Sequence, residues 1–145
     1  MRVKGVILVL ALAGLAGCSL FEDDVPEPAP EIVAPPAPVA EAVQAVRRLE
    51  LGTSRKGVVL AAFGTAPGLG YSKPRLVARR DGRPGSDGLL DYDFVIDPPP
   101  EGVVFPQGTA KAREVRADIE ILIAEARIAR GVRVHAVVGG VQMLF

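Results

Sequence analysis

The single cysteine, Cys18, is the feature that most limits how this chain can fold. It is the only cysteine among 145 residues, so no disulfide within the chain can brace a small domain. The segments on either side of it also differ, because an almost wholly apolar run precedes it and a stretch rich in proline and acid follows it. Whatever folds beyond Cys18 must therefore gain its stability from packing.

Residues 1–17 have the plan of a secretory signal peptide. Two basic residues stand in the first four positions, an apolar run covers 6–15, and small residues precede Cys18. The run is too short to span a membrane, since about 10–12 residues at about 1.5 Å each reach about 15–18 Å of a hydrocarbon core about 30 Å thick. Leu15-Ala16-Gly17-Cys18 is typical of a bacterial lipobox. We expect cleavage before Cys18 and acylation of its thiol.

A lipid on Cys18 places the protein in the bacterial cell envelope. One acyl chain binds a membrane only marginally, whereas two or more anchor stably. The three-chain form of bacterial lipoproteins, with palmitate among its chains, is therefore expected to stay membrane-bound. Ser19 stands where enterobacterial lipoproteins retained at the inner membrane have Asp, and this resemblance favours the outer membrane with the domain in the periplasm. The periplasmic face of the inner membrane and the cell surface are the alternatives.

Residues 18–44 are predicted to be a disordered, proline-rich, acidic tether. Six prolines lie between residues 26 and 38, and six acidic residues lie between Glu22 and Glu41 with no lysine or arginine among them. Proline favours polyproline II at about 3.1 Å per residue, so the tether can hold a domain up to about 70 Å from the membrane. A PxxP ligand is the alternative, and a semi-rigid spacer is the commoner use of such a segment.

Residues 45–145 are expected to form one small domain of about 100 residues. They carry fifteen basic and eleven acidic residues, a formal charge of +4 against −6 for the tether. Valine, isoleucine, leucine and phenylalanine are dense enough to build a hydrophobic core, which excludes a disordered chain. The basic residues form no block of like charge. This pattern favours a solvated surface, and short-range attraction of the domain to anionic lipid or wall polymer is the alternative. We expect no nucleic-acid partner.

Short apolar segments between Gly- and Pro-rich turns predict a mainly β domain. In the clearest of them, 90–97, apolar residues alternate with Asp91, Asp93 and Asp97, as in a half-buried strand whose carboxylates face solvent. Turn signals near every ten residues indicate a small antiparallel immunoglobulin-like β-sandwich. Gly139-Gly140 is a hairpin signal. The other predicted strands cover 57–64, 74–80, 132–136 and 141–145.

Two segments fit more than one structure. The pattern at 40–51 suits either a helix or a first strand. In 110–130, Val115, Ala117, Ile119 and Ile121 alternate with charged residues as in a strand, yet the segment also contains a helical apolar stripe followed by a possible helix-capping glycine. The β-branched residues favour a strand. An α+β fold with a helix at about 110–130 is the alternative.

Three segments carry a resemblance to known proteins. Residues 64–71 (GTAPGLGY), 87–99 (DGLLDYDFVIDPP) and 131–138 (GVRVHAVV) resemble a group of small exported bacterial proteins with no assigned activity. The 64–71 loop is also similar to a loop of the chagasin-like inhibitors of cysteine proteases, which are immunoglobulin-like sandwiches. Those inhibitors have a Thr directly after the Pro, whereas here Thr65 precedes Pro67. The second resemblance implies binding through Pro67, Gly68, Gly70 and Tyr71.

No catalytic or cofactor site can be assembled from the sequence. His135 is the only histidine, and it lies in a strand pattern with no cysteine nucleophile available. The aspartates of 90–97 are expected on a solvated sheet face rather than around calcium, which needs six or more oxygens. Gly68-Leu69-Gly70 lacks the third glycine of a dinucleotide loop, and Lys73 is followed by Pro74 where a P-loop needs Ser or Thr. We expect no metal, no cofactor and no small-molecule substrate.

These features together predict a lipid-anchored envelope protein that is not an enzyme. Its β domain is expected to act as a binding or structural module, in contact with another envelope protein. The alternative is a protease inhibitor or protease-associated regulator that uses the 64–71 loop.

Overall fold

The computed structural model describes residues 37–145 of the chain. The predicted signal peptide, Cys18 and the tether up to residue 36 lie outside the described residues. Within the described range the chain forms eight strands, one α-helix and one short 3-10 turn. In chain order they are β1 (Glu41–Ala42), β2 (Ala45–Thr53), β3 (Gly57–Thr65), β4 (Ser72–Ala78), the 3-10 turn (Arg80–Gly82), β5 (Leu89–Asp97), β6 (Glu114–Leu122), α1 (Ile123–Ile128), β7 (Gly131–His135) and β8 (Gly140–Leu144).

The larger sheet, sheet 1, is built on β5. β4 pairs antiparallel with one edge of β5, from Ser72 opposite Asp97 to Ala78 opposite Tyr92. β7 pairs parallel with the other edge, and β1 continues along that edge beyond β7. β8 pairs antiparallel with β7. β5 is therefore hydrogen-bonded on both sides over most of its length.

Sheet 2 has the order β2-β3-β6, with antiparallel pairing throughout. β3 is its central strand and pairs along all nine residues with β6. On its outer face, Phe63 lies between Arg48 and Arg116, whose guanidinium carbons are 3.8 Å and 5.3 Å from the ring centroid. These cation–π contacts leave Phe63 only 8% exposed. The two arginines thus shield the outward-facing Phe63 ring from solvent.

The two sheets pack face to face around one hydrophobic core. The apolar residues of β5 enter it from sheet 1, and those of β3 and β6 enter it from sheet 2. At Gly64 the sheets approach so closely that a Cβ atom would lie 2.9 Å from the ring of Phe94, so the missing side chain makes room for the aromatic. The largest fully buried side chains are Val43, Leu60, Leu90, Phe94, Ile96, Ile121, Val132 and Val134.

The predicted mainly β sandwich is confirmed, with one difference in strand direction. The β5–β7 pair is parallel, where an all-antiparallel arrangement was expected. The reason is the connection: after β5 the chain leaves sheet 1, runs back through β6 in sheet 2, and returns through α1 to the end where β5 began. A strand that re-enters its sheet at the starting end of its neighbour must run parallel to it.

The ambiguous 110–130 segment divides into a strand and a short helix. β6 covers Glu114–Leu122, because pairing with β3 satisfies its backbone groups while Ala117 and Ile121 enter the core. α1 begins at Ile123, one residue beyond the last paired residue of β6. The prediction of a strand is therefore confirmed, and a helix through the whole segment is wrong.

Other boundaries differ from the sequence-based expectations by a few residues. The open 40–51 segment forms β1 and most of β2, and Val43 between them is fully buried. Residues 41–44, which the sequence assigns to the tether, are thus part of the folded unit. The β7–β8 hairpin is present, but its turn is 136–139 and Gly140 already pairs in β8.

Candidate functional site

Three loops meet at the end of the sandwich where β1 begins. They are the β3–β4 loop (66–71), the β5–β6 loop (98–113) and the β7–β8 turn (136–139), and we call this surface the loop end. Gln44 links the two sheets here. Its N–H donates to the carbonyl of Thr65, the last residue of β3, and its own carbonyl accepts the N–H of Val138, both at 2.9 Å. The predicted 64–71 binding loop is therefore one part of a larger surface.

Arg113 fixes the β3–β4 loop from the base of the β5–β6 loop. Its Nη1 donates to the carbonyl oxygens of Ala66 at 3.2 Å and Pro67 at 3.1 Å, and to Oε1 of Gln44 at 3.3 Å. The N–H of Ala66 in turn donates to the Arg113 carbonyl at 2.9 Å. Thr65 and Ala66 are buried. These bonds hold the β3–β4 loop in one conformation.

The β5–β6 loop also packs across the tip of the β3–β4 loop. Gly70 has φ +83°, and a Cβ atom added to it would collide with the ring of Phe105. Leu69 packs in the same way over Gly108, where a Cβ atom would lie 2.8 Å from the leucine side chain. Glycine at these positions thus serves both the left-handed backbone and the close contact between the two loops.

The four predicted binding residues lie together, with unequal exposure. Pro67, Gly68 and Tyr71 are half-buried, and Gly70 is exposed beside the Phe105 ring. The Tyr71 hydroxyl donates to Oε2 of Glu41 at 3.3 Å. Burial raises the pKa of Tyr71, and the negative charge of Glu41 and this hydrogen bond raise it further.

The loop end exposes large apolar side chains. Val104 is 94% exposed, and Phe105 is 43% exposed even though its ring covers Gly70. Val103, Val104 and Phe105 are consecutive in the β5–β6 loop, and clustered exposed apolar residues are typical of an interaction surface. The exposed apolar residues at this end are Val39, Val103, Val104, Phe105, Val137 and Val138.

Sequence reasoning missed the part played by the β5–β6 loop. The sequence pattern predicts a proline-terminated connection after β5 at 98–113 and indicates no role for Phe105 or Arg113. Its signal was Val103-Val104-Phe105, three apolar residues between prolines in a loop with no strand to join. Such a run needs either a packing partner or a binding role, and part of it packs on the β3–β4 loop.

The outer face of sheet 1 is an ionic network centred on Asp91. This carboxylate is only 3% exposed. Its Oδ1 accepts from Arg133 Nε at 2.7 Å and contacts His135 Nε2 at 2.8 Å, and its Oδ2 pairs with Arg80. Burial by itself raises the pKa of Asp91, but the hydrogen bonds from Arg133 and His135 and the charges of Arg133 and Arg80 outweigh it and hold the pKa at about 2.

The expectation of a solvated carboxylate face is therefore wrong in part. The aspartates of β5 do point away from the core, but Asp97 is 7% exposed and pairs with Arg75 at 2.7 Å. Asp93, half-buried, accepts two hydrogen bonds from Arg79. Arginines from β4, from residues 79–80 and from β7 thus cover a row of carboxylates that the sequence of β5 alone predicts to face water.

His135 lies on this outer face, as expected for a sheet-face histidine. Within the described residues its side chain has one hydrogen-bond partner, Asp91, which is itself held by two arginines.

In the described range, 37–145, no group of three or more His, Cys, Asp or Glu side chains is placed to hold a metal ion. No helix in residues 37–145 has the length and hydropathy needed to cross a bilayer.

Compared with protein-family models, curated proteins and solved structures, the chain matches none.

Proposed function

We propose that this protein is a lipoprotein anchored through Cys18 in the bacterial cell envelope, and that its sandwich is a non-catalytic module that binds another envelope protein at the loop end. The observation that carries the proposal is the exposed apolar surface of the loop end, led by Val104 and Phe105, on a rigidly held pair of loops. The lipobox at residues 15–18 supports the anchor.

The geometry of the loop end supports a protein partner. The β5–β6 loop carries one acidic residue, Glu101, and two basic ones, Lys111 and Arg113, so the surface is close to neutral. Protein interfaces combine an apolar centre with a polar rim. Loops already fixed in one conformation lose little entropy on binding.

The anchor is tested by comparing wild type with Cys18→Ala in the native host. We expect intact mass spectrometry of the wild type to show loss of residues 1–17 and the added mass of three acyl chains. Cys18→Ala is expected to keep residues 1–17 and to carry no acyl chain. A wild-type protein with a bare thiol, or with its first seventeen residues attached, contradicts the anchor.

The partner is tested by photo-crosslinking in cells from a non-natural residue at Val104, with Val77 as the matched control. Both are exposed valines, and Val77 lies in β4, outside the loop end. We expect a discrete crosslinked band from Val104 that a Phe105→Asp substitution removes. A lone uncrosslinked species from Val104 at every irradiation dose contradicts the protein-binding role.

A second candidate function is inhibition or regulation of a protease through the β3–β4 loop. It is favoured by one observation: Arg113 holds the carbonyls of Ala66 and Pro67, and a rigid, presented loop is what a protease cleft accepts. Gly68 can take a larger residue, since the nearest atom to its Cβ position is 3.8 Å away on Tyr71. Gly68→Leu should abolish inhibition of a cysteine protease, while Gly52→Leu, with open space around it, should not. Equal inhibition by both variants excludes this role.

A further inference from the structure

The end of the sandwich opposite the loop end has a different chemistry. It is formed by the β2–β3 turn (54–56), α1, Arg130 and Phe145, and we call it the helix end. α1 connects β6 of sheet 2 to β7 of sheet 1 at this end. At its start the N–H of Ile123 donates to the carbonyl of Lys56 at 3.0 Å, and beyond its end the N–H of Phe145 donates to the carbonyl of Arg130 at 3.2 Å. These bonds place the turn, the helix and the last strand side by side.

The helix end is apolar and exposed. None of the residues of α1 is buried, and Ile128 is 69% exposed. A short helix whose isoleucines lie in water leaves apolar area that a partner can cover. The exposed apolar side chains at this end are Leu122, Ile123, Ile128, Leu144 and Phe145.

The same surface carries cations that are not neutralised. Arg55, Lys56, Arg127 and Arg130 form no ion pair within 4.0 Å in the described part of the chain. By contrast, most basic residues on the outer face of sheet 1 form ion pairs with the aspartates of β5. Four of the eight basic residues without an ion pair in the described range thus lie at this end, among exposed apolar side chains. The carboxylates of Glu120 and Glu125 lie here as well, so four positive and two negative charges leave the helix end with a net charge of +2.

We propose that the helix end docks on a bilayer surface that contains anionic phospholipid, with its isoleucines at the level of the head groups and its arginines and lysine on the phosphates. Apolar side chains flanked by Lys and Arg are the chemistry of interfacial binding, because the apolar part enters the head-group boundary while the cations meet the negative surface potential. The loop end is close to neutral, so it lacks the excess of cations that this kind of membrane binding requires.

Docking at the helix end is compatible with the proposed anchor, on which the inference rests. From Cys18 to Pro36 the chain has nineteen residues, which span up to about 59 Å at about 3.1 Å per residue. The nine-residue strands are about 30 Å long at about 3.3 Å per residue. The segment between lipid and domain is therefore long enough to run past the sandwich, so that the helix end faces the bilayer and the loop end faces away from it, toward a protein partner.

The test uses the lipidated full chain in vesicles, with Ile128→Cys labelled by an environment-sensitive fluorophore. Acylation blocks Cys18, so the new thiol is the only free one. In vesicles of phosphatidylethanolamine and phosphatidylglycerol we expect nitroxide-labelled lipid to quench the fluorophore at residue 128. The matched control, Val104→Cys at the loop end, should stay unquenched in the same vesicles.

Charge variants test the anionic part of the recognition. Each removed cation near the surface is expected to lower the docking equilibrium about fivefold, so Arg55→Gln, Lys56→Gln and Arg127→Gln together should abolish quenching at residue 128. Lys111→Gln at the loop end should leave it unchanged. Vesicles of neutral phospholipid alone should give no quenching with any variant.

Three results overturn the proposal: residue 128 unquenched on anionic vesicles, residue 104 quenched as strongly as residue 128, or quenching that survives the triple substitution. Failure of the lipid anchor is recognised separately, because intact mass reports acylation before the label is read. A lipidated protein with an unquenched label at residue 128 therefore contradicts docking and leaves the anchor intact.

Discussion

Asp91 shows how one residue can depend on three neighbours from different parts of the chain. Its pKa is about 2 in the folded protein, compared with an ordinary value near 3.8, so the folded state holds the carboxylate ionised more strongly than the unfolded state does. This difference stabilises the fold above about pH 4 and is lost as the pH falls toward 2. Arg80, Arg133 and His135 supply the effect, and only the tertiary structure brings them together.

Asp91→Asn is expected to lower the free energy of unfolding at neutral pH by about 2 kcal/mol, because the folded protein holds the pKa of Asp91 at about 2, compared with an ordinary value of 3.8. Denaturant titrations at several pH values measure it, and the gap between wild type and variant should narrow as the pH falls from about 5 to 2. Asp93→Asn is the control, since its half-exposed pair with Arg79 is expected to contribute less than about 1 kcal/mol. A gap that does not change with pH refutes this role of Asp91.

Gly70→Ala is expected to destabilise the loop end. A side chain at φ +83° costs about 1 kcal/mol, and its Cβ atom also displaces the Phe105 ring. Gly68→Ala makes only ordinary contact with Tyr71 and should change the free energy of unfolding by less than about 0.5 kcal/mol. Thermal unfolding of both variants, with amide chemical shifts of the β5–β6 loop, would show the difference. Equal stability of the two variants counts against the packing of Phe105 on Gly70.

At the scale of elements, β5 and α1 differ most in how strongly the rest of the fold holds them. β5 is bonded on both edges, sends its apolar side chains into the core, and holds its aspartates under arginines. α1 has six residues, too few to be stable alone, and it buries none of them. Its N-terminus is held by Glu125, whose Oε2 accepts the N–H of Leu122 at 3.2 Å.

Amide hydrogen exchange should follow this contrast. We expect the amides of β5 to exchange only through global unfolding, and those of α1 to exchange through local opening at much lower free energy. Glu125→Ala should speed exchange in α1 by several-fold, through loss of about 0.5–1 kcal/mol at the helix N-terminus. Exchange in β5 should change little. Protection of α1 equal to that of β5 would mean that the helix is held by contacts other than these.

For the whole molecule, one core shared by both sheets implies one cooperative unfolding transition. Phe94→Ala is expected to cost about 3–5 kcal/mol, since the ring is fully buried between the sheets. Val104→Ala, 94% exposed at the loop end, should leave the free energy of unfolding unchanged within about 0.5 kcal/mol. Calorimetry of both variants measures the effect, and two separate transitions in either would show that the sheets unfold independently.

The sequence by itself determined where several strands and loops lie and which face of a strand is apolar. Alternation in 90–97 placed Leu90 and Phe94 on the core side and the aspartates on the other, because a strand has a period of two. The β-branched residues of 115–121 favoured the strand that β6 forms. The clustered residues Pro67 to Tyr71 marked a loop, and the lone Cys18 limited the fold to one stabilised by packing.

Only the tertiary structure decided what lies against each element. The burial of Asp91 depends on Arg133, 42 positions along the chain, and the cover over Gly70 depends on Phe105, 35 positions along it. Local periodicity carries no signal for such contacts, because they follow from the path of the chain between sheets. The parallel β5–β7 pair and the difference between the loop end and the helix end have the same origin: the connection through β6 and α1 sets which residues meet at each end of the sandwich.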